Sequence, residues 1–294
     1  MINELKANAM SIRRISRYLG FSRSWYYQMR SGKRKLCNIS KKKAVLVSEE
    51  EIIKEIEDWR ANGHIHWGYR RMWAYLRFRI GLRTSQKRVY RIMKEKGYLV
   101  EKRRLERNKQ EVMMQKKPQA NKPKEIWGID MTKFLVPNVG WVYFVAVLDW
   151  YTKELVGYNI SLRSKSEQWK DALNMAINNK FSNGVRDAHL MLVSDNGTQP
   201  TSAAFIKETA TLRIQQIFTS YNNPKGNADT ERFMRTFKEE VIYTNDFTSL
   251  DEAVLAIENW ISFYNNQYPH SSLGYMSPKA FEQNYYQNLF DKPA

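Results

Sequence analysis

Apolar residues recur with a helical period over the first hundred positions. Ile12, Ile15 and Leu19 share one face, Gly20 breaks the run, and Ser22 can cap a second helix carrying Trp25, Tyr26 and Met29. This predicts a helix-turn-helix over residues 1–32. Residues 33–47 are basic and poor in large apolar side chains, which predicts a linker. Ile52, Ile53, Ile56 and Trp59 then open a second helical unit, residues 48–100. Within it Tyr69, Met72, Trp73 and Leu76 fall at i, i+3, i+4 and i+7. Gly81 stops that helix, Thr84 can cap a last one holding Val89, Ile92 and Met93, and Gly97 ends it. Residues 101–124 carry many charges, Pro118, Pro123 and no apolar period, which predicts a basic tether.

Beyond Lys124 the period changes. Residues 125–134 and 141–149 are rich in aromatic and β-branched side chains and flank a Pro137-Asn138-Val139-Gly140 turn, a hairpin pattern. A strand over 155–161, a helix over 166–179, a strand over 189–194, a helix over 202–212, a strand over 214–220 and a longer helix over 227–243 follow. The order β-β-β-α-β-α-β-α predicts an α/β fold, a mixed sheet with packed helices, because strands joined through helices tend to run parallel. Ser249-x-x-Glu252 is a capping box opening a last helix with Leu250, Val254, Ile257, Ile261 and Tyr264 on its apolar stripe. This second domain is expected to span 125–282, with a tail over 283–294. Trp127, Trp141 and Trp169 read as core or interface residues, and His270 and Tyr275 as packing in a closing loop.

Charge adds a partner to this picture. The chain has 294 residues and a formal net charge of +18. Residues 1–124 hold 33 basic and 11 acidic side chains, whereas 125–294 hold 15 and 19, so the whole excess is N-terminal. Such asymmetry suits a polyanion, since each phosphate neutralised releases counterions. Lys87, Arg91 and Lys94 fall at i, i+4 and i+7 opposite the apolar stripe of their helix, as on a helix lying along DNA; a solvated face has the same pattern. Arg70, Arg71, Arg77, Arg79, Arg83 and Arg88 add to the same unit. The single Cys37 and four histidines exclude a disulfide framework and a structural zinc set, so a reducing cytoplasm fits best. The longest apolar run, Trp141 to Leu148, is eight residues and too short to span a bilayer.

Three carboxylates stand out by setting. Asp130 interrupts a strand pattern, Asp195 closes a strand just before Gly197, and Glu231 lies one turn into a helix. Strand ends and a covering helix can bring such groups to one crevice. Oxygen ligands without nearby Cys or His suit Mg²⁺ or Mn²⁺, and two such ions can drive an in-line phosphoryl displacement without a protein nucleophile. Each residue also has an ordinary reading, as a turn, a bend cap or a surface charge. Asp149 reads as part of a hairpin turn, Asp229 points away from Glu231, and Glu239 and Glu240 read as polar face. Lys238 shares the face of Glu231 and can touch a phosphate, and Arg232 and Arg235 are further candidates for DNA contact.

Thirty-five residues intervene between Asp195 and Glu231. With Asp130-Met131-Thr132, Ser194-Asp195-Asn196-Gly197 and Asn227-Ala228-x-x-Glu231, this resembles the D,D(35)E signature of integrases and transposases. The stretches Leu19-Gly20-Phe21-Ser22-Arg23-Ser24-Trp25-Tyr26-Tyr27, Trp67-Gly68-Tyr69-Arg70-Arg71 and Tyr264 to Pro278 extend the likeness along most of the chain. The sequence resembles second-frame insertion-sequence transposases with a DDE core similar to retroviral integrase. That resemblance implies an RNase H-like core, Asp130, Asp195 and Glu231 as catalytic metal ligands, and cleavage and strand transfer at element ends. It also implies double-stranded DNA partners (terminal inverted repeats and target DNA), at least a dimer on DNA, and an upstream-frame product made separately or as a fusion. A nuclease of the same fold, or a DNA-binding regulator of transposition, are the competing readings.

Overall fold

A computed structural model of the chain describes residues 47–100, 118–219 and 227–290, with Ile12 alone before them. The chain divides into two compact units, Met1–Leu46 and Val47–Ala294. Ile12 is buried in the first. The rest of the expected helix-turn-helix, the 33–46 linker and most of the 101–124 tether lie outside the described residues.

The second unit opens with three helices, α1 (Glu49–Ala61), α2 (Tyr69–Phe78) and α3 (Gln86–Glu95). Their stripes are buried as the period predicts: Ile52 and Ile56, Met72 and Leu76, and Val89, Ile92 and Met93. Ser48 caps α1 by accepting from the Glu51 amide at 3.1 Å. The α3 cap is Ser85, accepting from the Arg88 amide at 3.3 Å, and not Thr84. Thr84 is instead buried in the preceding turn, its carbonyl accepting from Trp73 Nε1 at 2.9 Å.

Five strands follow: β1 (Ile126–Val136), β2 (Gly140–Asp149), β3 (Leu155–Ser161), β4 (Met191–Ser194) and β5 (Gln215–Phe218). The sheet order is β3-β2-β1-β4-β5, with β1, β2 and β3 antiparallel and β1, β4 and β5 parallel. Trp127, Ile129, Val145 and Val147 face α4 (Ser166–Lys180) and α5 (Ala203–Thr211). Ile126, Phe144, Ala146 and Leu148 face α6 (Ala228–Phe237) and α7 (Leu250–Asn266). β2 is covered on both faces, so its sequence is an unbroken apolar run. Parallel strands joined through helices beside an antiparallel meander give the RNase H-like mixed sheet. Trp127 and Trp169 are buried; Trp141 is half exposed at the hairpin end, under Lys133 Nζ at 4.5 Å.

Two features depart from the expected organisation. Ile52, Ile56, Trp67 and Met72 belong to the same hydrophobic cluster as Phe233, Phe237, Tyr264 and Tyr268, so the helical unit packs onto the core instead of standing apart from it. Its polar fastening is Arg71, whose Nη1 lies 2.7 Å from Glu240 Oε1, with the guanidinium over the rings of Tyr268 and Trp67. Glu240 sits in a π-helical turn, Lys238–Ile242, that continues α6. It is not on a polar face: its side chain is 4% exposed and also accepts from Tyr268 Oη and Trp260 Nε1.

The second departure is α8 (Pro278–Phe290), which runs through the boundary expected at 282. Tyr151 packs on Phe281 and Tyr285, and Lys180 Nζ bridges Glu154 and Glu282 at 2.6 Å each. A Gly274 φ of +63° and Tyr275 at +66° turn the chain from a 3₁₀ turn, Ser271–Leu273, into this helix. The expectation that His270 and Tyr275 pack in the closing loop holds: His270 sits against Tyr264 and Tyr268, and Tyr275 against Trp73. Burial lowers the pKa of His270 to about 3, so it is neutral.

Breaking the Arg71–Glu240 pair from one side leaves a buried charge. Arg71→Leu is expected to cost about 3 kcal/mol in chemical denaturation, and adding Glu240→Leu to recover most of that loss. Additive losses would show that the two side chains do not depend on each other.

Candidate active site

The site begins with a glycine inside a strand. A Cβ on Gly128 would lie 2.0 Å from Thr230 Oγ1 and 2.4 Å from Trp150 Nε1, so only glycine lets the first turn of α6 reach β1. Thr230 is fully buried there and accepts from Trp150 Nε1 at 3.0 Å. Its neighbour Glu231 is thereby fixed in the first turn of a helix lying against β1, and its backbone amide donates to the Asn227 carbonyl at 3.0 Å.

Asp130 and Asp195 are set by the sheet. The parallel register pairs Gly128 with Val193. Two residues beyond each come Asp130, inside β1, and Asp195, the first residue past the end of β4. Asp130 Oδ1 accepts from the Met131 amide at 2.8 Å, and Asp195 Oδ1 from the Gly197 amide at 3.1 Å. A Cβ on Gly197 would lie 3.0 Å from Asp195 Oδ1, so the turn leaves room for the carboxylate to fold back.

The electrostatics tie these groups together. Burial raises the Asp130 pKa to about 6; the Met131 amide opposes that, Asp195 and Glu231 add repulsion, and Lys238 offsets part of it. Asp130 therefore feels both other carboxylates and the lysine one π-turn beyond α6. Among the described residues, no three His, Cys, Asp or Glu side chains converge as a formed metal cluster. The donor set itself, three carboxylates with no sulfur or imidazole, suits a hard divalent cation.

The other acidic groups are placed elsewhere. Asp149 is buried and structural, accepting from the amides of Tyr151, Thr152 and Lys124 and from Trp127 Nε1. Asp229 lies 3.3 Å from Lys153 Nζ, away from Glu231. The π-helical turn, the Arg71 anchor and the close approach at Gly128 escaped sequence reasoning: a charged residue at i+9 from Glu231 gives no sign of burial, and a glycine within a strand pattern was the signal that could have marked the approach.

The basic candidates divide by partner. Arg71 turns inward to Glu240, and Arg88 donates to the Val47 carbonyl at 2.8 Å. Arg91 pairs with Glu49 at 2.6 Å and Glu95 at 3.8 Å. Lys87, Lys94, Arg70 and Arg235 are exposed, and Lys238 is half-buried beside Asp130.

Comparison with known proteins agrees with this architecture. Two models described as Integrase core domain match residues 120–224 and 212–278, and one described as HTH-like domain matches 48–105. An insertion element IS407 protein of 31.7 kDa from Burkholderia multivorans is 30% identical over 217 residues, 73% of this chain and 74% of the relative. Transposase InsD of insertion element IS2 from Escherichia coli is 25% identical over 225 residues, 73% of each chain. The HTLV-2 integrase catalytic core domain, solved in complex with magnesium, aligns at TM-score 0.45 and 15% identity over 56% of this chain and 99% of that one. The chain belongs to the insertion-element transposase family, with an integrase core and an HTH-like domain. No described helix is long and apolar enough to cross a membrane.

Two outcomes follow from this geometry. Because its pKa in the fold is about 6 against 3.8 unfolded, Asp130 destabilises the fold progressively as pH rises through that interval. Asp130→Asn in EDTA at pH 7.5 should therefore gain on the order of 2 kcal/mol over wild type by chemical denaturation, the gain vanishing near pH 4. Gly128→Ala should instead lose several kcal/mol, since neither Thr230 nor the Trp150 ring can yield without moving α6; full stability of that variant would contradict the close approach.

Proposed function

We propose that the chain is a DNA transposase that cleaves insertion-sequence ends and joins them to target DNA through Asp130, Asp195 and Glu231. The observation carrying this reading is the placement of Asp130 within β1, of Asp195 just past the parallel neighbour β4, and of Glu231 in the first turn of the helix that meets β1 at Gly128. Membership of an integrase-core family supports it. Mg²⁺, with Mn²⁺ as a substitute and two ions in the full site, would be held by these carboxylates and would polarise the phosphate under attack.

The remaining roles fall to the chain itself. Asp130, within β1 and ionised above pH about 6, and Asp195, just past β4, would supply fixed negative charge. Gly128, Thr230 and Trp150 hold the Glu231 helix at its distance. Lys238, close enough to offset the charge on Asp130, is placed to meet a phosphate oxygen of the substrate. In the reaction, an oxygen of water and later a DNA 3′-hydroxyl attacks phosphorus, loses its proton to solvent, and displaces the DNA oxygen on the far side. The exposed Lys87, Lys94, Arg70 and Arg235, together with the basic N-terminal region, would carry DNA, and joining two double-stranded ends to a target calls for at least two protomers. An upstream-frame product is a further partner.

Labelled DNA from both flanks of the gene, incubated with the protein and Mg²⁺ or EDTA, tests this directly. Nicked and joined products that need metal and fall at least a hundredfold in Glu231→Gln are expected. Specific binding with no product from either protein would move the assignment to a regulator of transposition; cutting with no joining would move it to a nuclease.

A further inference from the structure

Three stretches that the carboxylate site does not use meet at one place: Trp67 to Arg71, the outer flank of α6, and the closing segment around Tyr275. They wall a cleft of about 1180 Å³. Asp229, Arg232, Phe233 and Thr236 of α6 line it, whereas Glu231 does not, so the cleft and the carboxylates lie on different flanks of one helix.

Its chemistry is cationic and aromatic. Arg70 donates to the Tyr69 hydroxyl at 3.1 Å and has no ion pair among the described residues, and neither does the exposed Arg232. The other charges facing the space are matched: Arg71 with Glu240, Lys153 with Asp229. Tyr69 and Tyr90 meet edge to face at 5.0 Å, and Tyr90 is 41% exposed. Tyr275 holds a left-handed φ of +66°, rare for a bulky residue, with its ring on Trp73. Beyond the tyrosine pair a second hollow of about 230 Å³ runs on to Gln86 and Lys87 of α3.

Two guanidinium groups with no ion pair among the described residues, beside the exposed ring of Tyr90, suit a chain of phosphates alternating with bases. A space near the upper end of ligand-sized pockets admits a short single strand. We propose that this cleft binds a single strand of DNA, with phosphates on Arg70 and Arg232, a base stacked on Tyr90, and an exit along Lys87. The proposal deepens the DNA reading above by giving the protein a seat for an unpaired strand beside the cutting site.

The test uses the full chain and a fluorescent six-nucleotide oligothymidine, read by anisotropy at 0.2 M salt to suppress non-specific binding. Tyr90→Ala is expected to weaken binding about tenfold, the scale of one lost base stack, and Tyr90→Phe to keep it. Arg70→Gln with Arg232→Gln should weaken it further and flatten its salt dependence. Affinity for a matched duplex should not change in Tyr90→Ala. All these side chains are on the cleft wall, and unchanged thermal melts establish that the variants fold. Unchanged oligothymidine affinity in Tyr90→Ala, equal loss of duplex binding, or displacement by thymidine monophosphate as potent as by the oligomer would each overturn the proposal. Metal-dependent cutting is scored separately on duplex ends, so strand binding without cutting removes the transposase reading alone, and cutting without strand binding removes only this one.

Discussion

The contact on which the rest of the site depends is the approach of α6 to β1 over Gly128. Where a side chain would stand, Thr230 and the Trp150 indole close a hydrogen bond inside the sheet–helix interface. A buried hydroxyl and a buried N–H each need a partner, and here they satisfy one another, so the position of α6 is fixed by complementarity and not only by apolar packing. The height of Glu231 above the sheet follows from it. The strand that gives up a side chain at 128 places a carboxylate two positions on, at 130, on the same face.

The other end of the same helix is held differently. Glu240, in the π-turn beyond Lys238, gathers an arginine from α2, a tyrosine hydroxyl from the closing segment and an indole from α7. Burial pushes the pKa of this carboxyl up, and Arg71 and its two neutral donors work against that shift. Four separate segments of chain meet on one side chain. The α6 helix is thus pinned by a neutral hydrogen bond at its start and a charged cluster at its end, with the proposed catalytic glutamate and Lys238 between the two pins.

Sequence periodicity was sufficient for most elements because their burial is one-sided or, in β2, complete. The hairpin at Pro137 to Gly140, the structural role of Asp149 and the Ser249 cap of α7 were all legible, although Glu252 turns its carboxylate to the Thr248 amide and hydroxyl instead of closing a reciprocal box. The carboxylate trio was legible as spacing; that β4, just before Asp195, pairs with β1, which holds Asp130, rests on a register of residues 65 apart that no local pattern encodes. Glu240 and Arg71 were misread because a charge on a helical period looks the same whether its partner is water or a distant ion. α8 was missed because its buried contacts are supplied by Tyr151 and Lys180 and not by a stripe of its own.

The joining of the helical unit to the core has a mechanical consequence. A DNA-reading module on a flexible tether finds its sequence and leaves the position of chemistry to chance within the reach of the linker. Here α2 and α3 share a hydrophobic cluster with α6 and are keyed to it by an ion. If the chain acts as proposed, any base sequence touched by α3 would be held at a set distance and rotational phase from the carboxylates, and the molecule would work as a caliper on DNA. On that proposal, inserting half a helical turn between the sequence gripped and the bond cut would turn that bond to the far side of the duplex.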